Sequence, residues 1–155
     1  MSFVVSALPA EPFQPLFALS DADLAACGAM RRTVDANPGF PCRVSLEDAE
    51  PGETVLLLNY EHQSADTPFR ARHAIYVREG APRAELTAGE MPPVFRDRIL
   101  SLRAFDGVGM LRAAEVAQGE ALEPAVERLL ANPEVAYLHA HYAGMGCYAA
   151  RIDRA

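Results

Sequence analysis

Val135-Ala-Tyr-Leu-His-Ala-His-Tyr-Ala-Gly-Met-Gly-Cys-Tyr-Ala-Ala-Arg151 is the stretch that decides how this chain folds. Two apolar, alternating runs flank a glycine-bracketed turn, which is the pattern of two antiparallel strands joined as a hairpin. The run from Val135 to Tyr142 and the run from Cys147 to Ile152 have the highest apolar density in the chain. That density predicts a hairpin at the centre of a sheet. Side chains on a strand repeat every second residue, so His139 and His141 point the same way, about 7 Å apart.

Working outward, the pattern predicts more strands than helices. The N-terminal stretch Met1-Ser-Phe-Val-Val-Ser-Ala-Leu-Pro9, quickly broken by Pro9, Pro12 and Pro15, reads as an edge strand. Ser20 reads as a helix N-cap with Asp23 three residues on, and Leu24, Cys27, Met30 and Val34 extend a helical spacing to about Asp35. Asn37-Pro-Gly-Phe-Pro41 forbids continuation. Strands are predicted at Cys42 to Leu46, Thr54 to Tyr60 and Ala74 to Arg78, with a polar connection from Glu61 to Arg72. Ile99 to Phe105 alternates and ends at Asp106-Gly107, a two-residue hairpin signal. That turn demands a partner strand, so Met110 to Ala117 reads as a strand despite its alanine and glutamate content. Ala121 to Ala131 is a helix closed by Asn132-Pro133. The expectation is an α+β fold in a single domain spanning residues 1–155: a curved, largely antiparallel sheet of about six to eight strands with two main helices.

Composition narrows the function. The net charge is −7, with basic residues scattered singly or in pairs, so there is no electrostatic footprint for nucleic acid. No apolar run approaches the ~20 residues of a membrane span. The N-terminal segment lacks the basic start of a signal peptide, so the expected compartment is the cytoplasm. All 14 basic residues are arginine. Without a lysine ε-amine, Schiff-base chemistry, lysine-attached pyridoxal phosphate and a P-loop nucleotide site are excluded. Cys27, Cys42 and Cys147 are odd in number and have no C-x-x-C spacing, which argues against a disulfide framework or a zinc finger. A half-hydrophobic domain with modest charge is also a candidate homodimer.

Three segments stand out together. Gly39-Phe-Pro-Cys-Arg-Val-Ser-Leu-Glu-Asp-Ala49, Gly52-Glu-Thr-Val-Leu-Leu-Leu-Asn-Tyr-Glu-His-Gln63 and Gly146-Cys-Tyr-Ala-Ala-Arg-Ile-Asp-Arg154 resemble the bacterial domain of unknown function 1203 family. The resemblance covers nearly the whole chain. It implies a single bacterial domain and brings no activity, cofactor or catalytic residue with it.

The candidate chemistry therefore comes from the residues. His139 and His141 are candidate catalytic residues, or two ligands of a zinc or iron site whose others would come from Cys42, His62, His73 or Cys147. Cys147 could join the histidines as a thiolate pair if a three-residue loop, Gly144 to Gly146, puts it on their face. A four-residue loop, Ala143 to Gly146, puts it on the other. Arg103 sits mid-strand in an apolar run, so its charge needs a ligand or an acidic partner. His62, Arg70 and Arg72, at a strand end and on the long connection, would suit a carboxylate or phosphate. Three readings follow: a small-molecule binding protein or small enzyme taking an anionic ligand through His139, His141, Arg103 and His62; a metal-dependent enzyme built on the His-x-His pair; or an interaction module without chemistry.

Overall fold

The computed structural model describes residues 2–155. Its order is β1 (Phe3–Ser6), α1 (Asp21–Ala26), β2 (Ala29–Thr33), β3 (Thr54–Gln63), β4 (Ala71–Arg78), β5 (Leu100–Phe105), β6 (Leu111–Ala117), α2 (Leu122–Ala131), β7 (Tyr137–Tyr142) and β8 (Tyr148–Arg154). The fold is α+β, and the strands divide between two antiparallel sheets. One has the order β1-β8-β7-β5-β6 and the other β2-β3-β4. The terminal hairpin lies inside the larger sheet and β1 is at its edge, as the apolar densities predict.

Each face of the larger sheet has its own cover. Alternation on β5 and β7 sends Leu100, Leu102, Ala104, Leu138 and Ala140 to one side, where α2 buries Leu122, Ala125, Val126, Leu129 and Leu130 against them. A fully buried leucine or valine is worth about 1.5–3 kcal/mol relative to an exposed one, so this layer stabilises the molecule. Pro124 falls in the first turn of α2, where backbone N–H groups have no intrahelical partner to lose. The opposite side carries Arg103, Phe105, Tyr137, His139 and His141, and the end of β3 comes over it. Tyr148 of β8 is part of the smaller sheet's core, with Leu56, Leu58 and Ile75.

Three segments depart from expectation. The first helix stops at Ala26, because Gly28 adopts a left-handed conformation (φ 70°) and the chain turns into β2, which pairs with β3. Ser20 does cap it, accepting from the Asp23 N–H. Met30, counted as part of a helical stripe, is half exposed. Cys42 to Leu46 is a buried turn rather than a strand. The Leu46 N–H donates to the Cys42 carbonyl at 3.0 Å, and Cys42 alone bridges to Tyr76. Every residue from Pro41 to Leu46 is buried, so alternation there had no solvent side to report. The β5–β6 turn is longer than Asp106-Gly107. The Asp106 carboxylate accepts from the Val108 and Met110 N–H groups, holding a loop that runs to Met110.

Candidate metal centre

β7 supplies two thirds of the site. His139 and His141 lie on the side away from α2, 4% and 1% exposed. Across the sheet, β5 sets Ser101 opposite His141 and Arg103 opposite His139. On the other flank β8 carries a bulge: Ala140 pairs with Ala150 but His141 pairs with Tyr148, which leaves Ala149 as the extra residue. A bulge changes which side chains share a face. Here it turns the Tyr148 ring toward the histidines, edge-on to His139 at 5.2 Å and to His141 at 5.9 Å between centroids.

The third histidine arrives from the other sheet. β3 has its own bulge, with Glu61 opposite Arg72 and Gln63 opposite Ala71, so His62 is the unpaired residue. Two consecutive side chains consequently reach the larger sheet. His62 stacks on Tyr148, with centroids 5.6 Å apart and planes 8° from parallel. Gln63 donates from Nε2 to the Tyr137 hydroxyl at 3.0 Å. The His62 ring lies 4.9 Å from His141 and 6.2 Å from His139.

One ring nitrogen from each of His62, His139 and His141 falls within 4.8 Å of the other two. Each ring also has a buried nitrogen with no hydrogen-bond partner: Nδ1 of His62, Nδ1 of His139 and Nε2 of His141. An ion centred in a triangle of that size lies at most about 2.8 Å from each nitrogen, so shifts under an ångström reach the usual ~2.0–2.1 Å zinc–nitrogen bond. His141 is preset for this role. Its Nδ1 lies 2.9 Å from the Gly146 carbonyl oxygen, which can only accept, so Nδ1 carries the proton and Nε2 keeps its lone pair.

Electrostatics point the same way. Burial is the main cause that pushes the pKa of His62 down to about 4 and those of His139 and His141 down to about 3. The Arg103 charge lowers all three further. The rings are neutral at pH 7, as metal ligands must be. Neutral rings make a poor clamp for an anion by themselves. The histidine group includes no carboxylate among the described residues. Arg151 faces His139 across the ladder but is spoken for, stacked 4.0 Å over Tyr137 and paired with Asp153.

Of the remaining sequence candidates, all but Arg103 are placed apart from this centre. Cys147 is buried on the α2 side, because the loop is the four-residue one. The Tyr142 N–H donates to the Cys147 carbonyl at 2.9 Å, and both side chains join the α2 core. The Cys147–histidine dyad is therefore not formed. Arg70 and Arg72 are exposed and pair with Glu61. His73 Nδ1 lies 3.2 Å from the Ala74 carbonyl oxygen, and its ring is not one of the converging three. Arg103 does reach the histidine face, half buried, and meets no acidic partner among the described residues. Sequence reasoning missed Tyr148, the wall of the site, since its orientation depends on one extra residue at Ala149.

No helix among the described residues is long and apolar enough to cross a membrane. No curated protein and no solved structure matches the chain. The family model described as "Protein of unknown function (DUF1203)" matches residues 39–154, a span that holds all three histidines, Arg103 and Tyr148. On that match the chain belongs to the DUF1203 family.

Proposed function

We propose that this protein binds a divalent transition metal, zinc foremost, through His62, His139 and His141. The observation that carries the reading is the convergence of one ring nitrogen from each of three histidines, drawn from two different sheets, to within 4.8 Å of one another. Imidazole donors suit zinc, iron, nickel and copper, and three histidines leave a fourth position open, the arrangement of catalytic rather than structural zinc. An ion so held would supply Lewis acidity at that position. The cytoplasm is the proposed compartment: all three cysteines are free thiols, one of them exposed at Cys27, which suits a reducing environment.

Elemental analysis of untagged protein purified without chelator tests this directly. We expect near one equivalent of metal, lost in a His139→Ala/His141→Ala variant. Added zinc at a hundred times its Kd should stabilise the metal-free protein by about 2.7 kcal/mol, raising Tm by about 5–10 °C. Absence of stoichiometric metal together with an unmoved Tm would overturn the reading.

A further inference from the structure

Resting on the metal reading, we propose that the open position takes a small oxyanion, a carboxylate or phosphate group, and that Arg103 is its second anchor. The register sets Arg103 directly across from His139 and Ser101 across from His141, with all four side chains on one face. Directly opposed residues on neighbouring strands have their Cβ atoms about 4.5–5.5 Å apart, close enough for one ligand to touch both.

Arg103 differs from the other arginines that are not fully exposed. Arg43 donates to the carbonyls of Pro41 and Tyr148. Arg98 grips Asp48 through both Nη atoms, Arg31 reaches Asp21 and two carbonyls, and Arg78 pairs with Glu53. For Arg103, the hydrogen bond found among the described residues runs from Nε to Ser101 Oγ, at 3.3 Å. That contact orients the guanidinium and leaves its Nη donors without a partner among the described residues. A half-buried guanidinium without an anion is costly, and its planar fork matches two oxygens of one oxyanion.

Charge gives the second argument. Three neutral imidazoles cancel none of a divalent ion's charge, and Asp153 is engaged by Arg151. The centre with its ion would hold the ion's two positive charges beside the one on Arg103, with no carboxylate in the ligand group. An anionic ligand relieves this and a neutral one does not. His62, Ser101 and Arg103 are partly exposed, whereas His139 and His141 are sealed.

The test uses the full chain loaded with Co2+, whose visible absorption reports changes at its open position. Acetate and inorganic phosphate are titrated separately at constant ionic strength into wild type, Arg103→Gln and Arg103→Lys. We expect a saturable spectral change with at least one of the two anions. The Kd should weaken by at least about tenfold in Arg103→Gln and by less in Arg103→Lys, with cobalt affinity retained in both. Which anion wins identifies the group. Cobalt bound but blind to both anions, or an equal Kd in wild type and Arg103→Gln, overturns the anion proposal alone. No cobalt spectrum in wild type overturns the metal reading and the proposal with it.

Discussion

His141 owes its usefulness to one carbonyl. By accepting from Nδ1, Gly146 fixes the tautomer, and burial then keeps Nε2 unprotonated far below neutral pH. The consequence is measurable in metal-free protein. An unfolded histidine titrates near 6.5 and the folded ones near 3, so below about pH 6.5 the unfolded state binds more protons. Stability should be flat above that pH and fall as pH drops toward 4. His139 and His141 each contribute up to about 1.4 kcal/mol per pH unit. Urea midpoints between pH 7.5 and 4.5 check this, and His139→Leu/His141→Leu should flatten the curve. At this scale the sequence was informative about the pair on β7, because a two-residue spacing survives any sheet. It offered His62 as their partner but could not choose it over Cys42, His73 or Cys147 as a further ligand, since nothing local to Tyr60–Gln63 announces the bulge that brings it over.

Among the elements, the two bulges and the β5–β6 turn do the positioning. Gly109 in that turn has φ 90°, and a Cβ there would lie 2.3 Å from the Cβ of Ala65 in the β3–β4 connection. The contact is reinforced by the Thr67 hydroxyl, which donates to the Gly109 carbonyl at 3.1 Å. Gly52 has the same backbone demand (φ 92°) with open space around it. Gly52→Ala should therefore cost only the left-handed penalty, about 1–2 kcal/mol. Gly109→Ala should cost that plus a collision, at least about 1 kcal/mol more by urea unfolding, and should loosen His62 with its loop. Strands β1, β3, β4, β5, β7 and β8 were legible because each alternates or is rich in β-branched or apolar residues, and β6 because the Asp106-Gly107 turn demands a partner. The over-long first helix shows the limit of that method. Leu24, Cys27, Met30 and Val34 satisfy a helical count, yet Gly28 and pairing with β3 override it.

Across the whole molecule, the centre draws on both sheets, so an ion there would tie them together. Limited proteolysis should show it: chelator-treated protein is cut faster than zinc-loaded protein, first in the connection 64–70. Equal rates would mean that the ion joins nothing. What the sequence could not convey at this scale was the split into two sheets. Pairing between distant strands is a matter of register, and residue patterns along one strand do not record it. The buried Arg43 illustrates the point. Its Nε donates to the Tyr148 carbonyl, 105 positions away, a partner that no local pattern names.

The bulge at His62 finally has a temporal consequence. An ion shared by His62 and the β7 histidines closes β4, β5, β6 and α2 into one covalent-coordinate ring. The ring cannot open without releasing the ion. The lifetime of the folded chain would then track the ion's residence time, and a cell short of metal would lose this protein to its proteases.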